Sequence, residues 1–86
     1  MYYTYILESE ANGQLYIGQT NNLNSRIERH NKGAVKSTKP KRPWRIMYDV
    51  KHKNRADAVQ LELKLKSFKN PDKVREWIRH RKEAQG

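Results

Sequence analysis

The fold this chain predicts is α/β in the α+β sense: a small three-stranded antiparallel sheet flanked by helices, in the order ββαβαα. Two observations carry it. First, the segments Tyr2–Leu7, Leu15–Gly18 and Trp44–Val50 are dense in aromatic and β-branched residues, the composition of strands. Second, the stretches that follow the second and third segments keep a helical period and begin at residues able to cap a helix.

Asn12-Gly13 lies between the first two segments. An Asn-Gly pair tolerates the positive φ values that a reversal needs, so these segments read as a β-hairpin. Four of the five tyrosines fall within the hairpin. Tyr is a good strand former with an amphipathic ring, so packing alone can account for them; a chemical role is the alternative. The polar cluster Gln19–Asn22 can cap a helix from Leu23 to Lys32, with Gly33 as its stop. Leu23 and Ile27 define the inward face of that helix. Arg26 and His30 fall on the same side, one turn apart. Desolvating an unpaired charge is expensive. These two residues therefore either edge a cleft or carry their polar heads out to water.

Residues 34–42 form a basic loop with Lys36, Lys39, Lys41 and Arg42, stiffened by Pro40 and Pro43. It reads as a surface loop, either merely solvated or serving as a phosphate-contacting arm. The strand from Trp44 places its apolar residues at 44, 46, 48 and 50, as a half-buried strand does. Trp44 and Tyr48 are expected in the core, with base stacking by Trp44 as the other reading. Asn54 caps a helix over 55–69 whose apolar stripe is Ala58, Val59, Leu61, Leu65 and Phe68. Glu62 falls inside that stripe. It either pairs with a cation such as Arg26 or ligates a metal. Asn70-Pro71 then starts a last helix with Val74, Trp77, Ile78 and Arg81 inward, and the tail 82–86 is expected to fray.

The 86 residues suit a single domain. There is no cysteine, which excludes disulfides and thiolate zinc sites. The absence of a long apolar run or a signal-peptide pattern predicts a soluble cytoplasmic protein with no membrane partner. Nineteen Lys and Arg stand against nine Asp and Glu, a net charge of +10, which points to a polyanion such as nucleic acid.

Tyr5, Tyr16, Arg26, His30 and Glu62 are polar groups that the local pattern places in or beside packed surface. With Thr4-Tyr5-Ile6 at the first motif, Tyr16-Ile17-Gly18 at the second, Arg26 and His30 on the next helix and Glu62 on a later one, the chain resembles the GIY-YIG nuclease superfamily. Within it, the chain looks like the small stand-alone bacterial members, which are similar to the N-terminal nuclease domain of the bacterial excision-repair nuclease. The resemblance runs from about Tyr2 to Trp77 and departs at Thr4, where the motif has Gly. No asparagine follows Asn70 to stand for the one several members use. No separate DNA-binding domain is expected, which speaks against sequence-specific cleavage.

The resemblance implies a metal-dependent DNA endonuclease, with DNA repair as its setting, that hydrolyses phosphodiester bonds by water attack. Tyr5, Tyr16, Arg26, His30 and Glu62 are its implied catalytic residues. Glu62 would hold one Mg²⁺ or Mn²⁺ ion, and Arg26 would bind the phosphate. Tyr5 is the preferred general base, with Tyr16 orienting it or the water; that role needs positive charge nearby to lower the phenol's pKa. His30 hydrogen-bonds Tyr5 or the water, or takes the proton itself. Lys36, Lys39, Lys41 and Arg42 would hold the DNA backbone. No small-molecule cofactor is expected, and the protein would act as a monomer or weak homodimer. The competing reading is a non-catalytic basic nucleic-acid-binding module on the same fold. An RNA-binding protein also fits the charge but leaves the five residues unexplained.

Overall fold

A computed structural model of the protein describes residues 1–85. In chain order it contains β1 (Tyr2–Ser9), β2 (Leu15–Thr20), α1 (Leu23–Asn31), β3 (Trp44–His52), α2 (Arg55–Ser67) and α3 (Pro71–Gln85), with a 3₁₀ turn at Lys39–Lys41. The three strands form one antiparallel sheet in the order β2-β1-β3. The expected α+β fold and its ββαβαα order are both present. α3 runs on through Gln85, where the sequence predicts a fraying tail; Gly86 of that tail lies outside the described residues.

The hairpin connection is longer than a two-residue turn. Ser9 Oγ accepts from the backbone N–H groups of Ala11 and Asn12, the Asn12 side chain accepts from Gln14 N, and Gly13 takes φ +79°. Gly13 thus supplies the left-handed residue the reversal needs. Each of the first two helices starts as its sequence predicts, with Asn22 accepting from Ser25 N at 3.0 Å and Asn54 from Asp57 N at 2.9 Å.

Central strand β1 feeds two cores because successive side chains leave opposite faces. On one face Tyr5, Leu7 and Trp44 are buried with Tyr16 and the α1 residues Leu23 and Ile27. On the other, Ile6 is buried with Leu65 of α2 and Val74 and Ile78 of α3. The sheet is therefore covered by α1 on one side and by α2 and α3 on the other. Glu8 ties the second layer together by pairing with Arg45 of β3 and Arg75 of α3.

The alternation expected along β3 fails at its centre. Ile6 is paired with Tyr48 and Leu7 with Ile46, so Met47 is an extra residue on β3 at a β-bulge. A bulge reverses which face the following side chains occupy. Trp44 thus packs with Tyr5 and Leu7, Met47 and Tyr48 pack on the Ile6 face, and Ile46 is left exposed. The reading of 44, 46, 48 and 50 as one inward row is corrected accordingly.

Leu65 is 1% exposed in the core between β1, α2 and α3. Leu65→Ala removes buried methyl groups and leaves a cavity, so it should lower stability by about 2–5 kcal/mol, measured as a loss of urea midpoint with unchanged slope.

Candidate active site

Local geometry first explains Gly18. It lies opposite Tyr5 in the β1–β2 ladder, and a Cβ there would stand 2.5 Å from the Tyr5 hydroxyl oxygen. The phenol of Tyr5 therefore crosses the neighbouring strand where that strand has no side chain. Tyr16, two residues earlier on the same face, stacks beside it with ring centroids 6.3 Å apart.

From α1, His30 reaches this pair. Its ring lies 4.8 Å from that of Tyr16 and 6.0 Å from that of Tyr5, edge to face with both. The Tyr5 hydroxyl and His30 Nε2 are 3.2 Å apart. Both residues are 0% exposed. Of the two sequence readings for α1, His30 takes neither: it is not at a cleft edge and its ring does not reach water. Arg26, half-buried, lies near enough for its guanidinium to act on Tyr5.

Glu62 approaches from α2. Its carboxylate oxygen meets Lys66 Nζ at 2.7 Å, one turn on. Its cation is thus Lys66, whereas the sequence offers Arg26. Tyr16, His30 and Arg26 thus gather at one phenol, and the Glu62 charge acts on it more weakly than any of the other causes. The five residues come from four elements: Tyr5 from β1, Tyr16 from β2, Arg26 and His30 from α1, and Glu62 from α2.

Electrostatics corrects one expectation. The Tyr5 pKa is pushed up to about 12, first by burial and then by Tyr16; the Arg26 charge opposes this and does not prevail. The lowered phenol pKa that a free base at this position needs is therefore not found. His30 moves the other way: burial, then the charges of Arg26 and Arg29, hold its pKa below the ordinary imidazole value. At neutral pH the site thus holds a neutral phenol against a neutral imidazole.

The basic loop is pinned to this site. Thr38, 1% exposed, has its Oγ1 2.8 Å from His30 Nδ1. Trp44 Nε1–H donates to the Thr38 carbonyl and Ser9 Oγ–H to the Lys41 carbonyl. Trp44 is 4% exposed, so its indole packs and anchors the loop and does not stack on bases. Lys36 and Lys39 are exposed and Lys41 half-buried. Arg42 is exposed but turned back on the loop, donating from Nε to the Lys39 carbonyl. Lys41 shares a groove with Lys66 and Lys69 along Leu15 and Ile17, which extends the basic strip from the loop to α2.

Three residues shape the site without standing out in the sequence as site residues. Gly18 admits Tyr5, and its place in the motif is the available signal. Thr38 holds His30, and nothing in a loop without periodicity marks it. Thr4, 2% exposed, donates from Oγ1 to the Ala58 carbonyl at 2.9 Å and meets His52 Nε2 at 2.9 Å. It ties β1 to the helix that carries Glu62.

A family model for the GIY-YIG catalytic domain matches residues 1–76, and the chain belongs to this family. It is 31% identical over 75 residues to UPF0213 proteins of Staphylococcus aureus strains Mu3, Mu50 and MW2, an alignment covering 86% of this chain and 90% of each relative. No solved structure matches it. Among the described residues no helix is long and apolar enough to cross a membrane.

Two outcomes test this geometry. Gly18→Ala drives a methyl into the phenol of Tyr5 and should cost about 1–3 kcal/mol, read by urea unfolding. In a proton NMR titration His30 should titrate below the ordinary imidazole value. The sign follows from the lowered pKa: as pH falls below about 6.5 the unfolded chain takes up the proton first, so the stability due to neutral His30 is present above that pH and declines below it.

Proposed function

We propose that the protein is a metal-dependent DNA endonuclease. The observation that carries this reading is the meeting of Tyr16, a neutral His30 and Arg26 at Tyr5, with the Glu62 charge in electrostatic reach, in a protein of this family with net charge +10.

The donor set can be tested against a metal. Among the described residues no three His, Asp or Glu side chains cluster, so a closed protein cage is excluded. A lone hard carboxylate suits Mg²⁺ or Mn²⁺, which keeps most of its water and takes its remaining oxygens from phosphate. Glu62 would hold it, exchanging Lys66 for the ion. When bound, the ion supplies charge neutralisation at the phosphate and at the leaving oxygen.

The chain's own residues account for the rest. Arg26 binds the phosphate and opposes the charge that builds up on its oxygens. Tyr16 lines the approach of the attacking water. With its pKa pushed up to about 12, Tyr5 does not work as a free phenolate. With DNA bound, the attacking water reaches its buried hydroxyl past Tyr16 and Arg26; Tyr5 accepts a proton from that water as its own O–H proton passes to His30 Nε2, which becomes imidazolium. The water oxygen forms the new P–O bond, the opposite P–O bond breaks, and the leaving oxygen takes a proton from solvent. Lys36, Lys39 and Lys41 hold the backbone electrostatically, without reading bases; Arg42 stiffens the same loop and adds its charge.

A cleavage assay with Mg²⁺ on duplex, branched and single-stranded DNA tests this. Tyr5→Phe, Arg26→Ala and Glu62→Gln should each lower the rate about 100-fold or more while salt-sensitive DNA binding persists. Binding without cleavage by the wild type on every substrate would replace this reading with the basic binding module.

A further inference from the structure

We propose that Thr38 is a positioning residue that sets the tautomer of His30: its hydroxyl oxygen accepts Nδ1–H, leaving Nε2 bare to receive the Tyr5 proton. This deepens the nuclease reading, on which its catalytic consequence rests, but the tautomer itself is a property of the resting protein.

The assignment follows from counting donors and acceptors at both ends of the chain of contacts. At one end, Tyr5 is 0% exposed, and the acceptor its hydroxyl meets is His30 Nε2 at 3.2 Å. A phenol has one proton to donate, and a buried O–H left without an acceptor is costly. Arg26 beside it is a donor only and cannot take that proton. The Tyr5 proton goes to a bare Nε2 as long as Nδ1–H has an acceptor of its own; without one, the ring can carry its proton at Nε2 and donate to the Tyr5 oxygen instead.

At the other end, Thr38 Oγ1 lies 2.8 Å from His30 Nδ1 and 3.3 Å from the Val35 carbonyl. A carbonyl only accepts, so the hydroxyl proton of Thr38 turns toward Val35, whose oxygen also takes the amides of Thr38 and Lys39. The Thr38 oxygen is then free to accept from Nδ1–H. Together the two ends give one direction: Tyr5 O–H to Nε2, Nδ1–H to Thr38 Oγ1, Thr38 O–H to the Val35 carbonyl. The depressed pKa of His30 agrees with a ring that carries one proton at neutral pH.

The backbone around Thr38 explains why this hydroxyl can hold a ring in place. Its carbonyl accepts from Trp44 Nε1 at 2.8 Å and its amide donates to the Val35 carbonyl at 3.1 Å. The residue is thus held at both ends of its own peptide.

The test reads the tautomer directly, in long-range proton–nitrogen NMR spectra of the uniformly labelled protein at about pH 7.5, where a histidine of lowered pKa is neutral, with the histidines assigned through H52Q and H80Q. Wild type should show His30 protonated at Nδ1 and bare at Nε2. Thr38→Val, which keeps the shape and removes the hydroxyl, should lose that pattern; Thr38→Ser should restore it. Trp44 fluorescence and near-ultraviolet circular dichroism report whether the fold and the Trp44–Thr38 carbonyl anchor survive. In the cleavage assay Thr38→Val should lower kcat about 10-fold or more with KM little changed, and Thr38→Ser should recover it. A wild-type His30 protonated at Nε2, or a folded Thr38→Val protein with the wild-type pattern, overturns the proposal. A wild type with the Nδ1–H pattern that cleaves no DNA upholds the tautomer assignment and overturns the nuclease reading alone.

Discussion

The close approach of the Tyr5 phenol to the backbone of Gly18 is the constraint from which the rest of the site follows. The two residues are paired across the ladder, and a Cβ on residue 18 would occupy the space the hydroxyl takes. With that space granted, the hydroxyl arrives within 3.2 Å of His30, and the histidine must be buried to meet it. A buried imidazole needs both nitrogens satisfied, which brings in Thr38 and so pins the loop after α1. One missing side chain on the edge strand thus sets the positions of residues on two other elements.

Burial also divides the electrostatic labour of the protein. The +10 net charge is carried by side chains such as Lys36 and Lys39 that face solvent, where charge attracts a polyanion over a Debye length. Inside, desolvation raises the pKa of Tyr5 and lowers that of His30, so each group is driven to its neutral form. Charge outside and neutral groups inside meet at Arg26, half-buried at the boundary, whose guanidinium charge reaches Tyr5. Its charge cannot rescue a low pKa for Tyr5 because the cost of moving a phenolate out of water is the larger effect.

Much of this is legible in the sequence, for reasons that differ by residue. The hairpin, the three strands and the helix caps at Asn22 and Asn54 follow from short-range rules and are found where those rules put them. Arg26 and His30 are visible as a pair because helical periodicity places them on the inward face of α1. The bulge at Met47 is not: an extra residue in one strand is a property of the pairing, and the alternation 44, 46, 48, 50 looks regular until the partner strand is known. The Glu62 partner escapes notice because Lys66 lies one turn along the same helix, a common surface pairing that carries no special signal. The Tyr5 shift escapes it because desolvation depends on what closes over the ring.

Thr4 shows how consecutive residues of β1 join the two halves of the site. Its side chain leaves the sheet on the face opposite to Tyr5 and donates to the Ala58 carbonyl in α2, one turn before Glu62. Tyr5, next in the chain, leaves on the other face and meets His30 of α1. The helix bearing the carboxylate and the helix bearing the arginine and histidine pack on opposite faces of the sheet. What registers one against the other is the fixed alternation of a single strand. A glycine at position 4 has no hydroxyl to make the Ala58 bond, so the departure from the family motif falls at a point where this chain adds a connection. The buried position of Thr4 and its second contact, His52 on β3, extend that connection to the third strand.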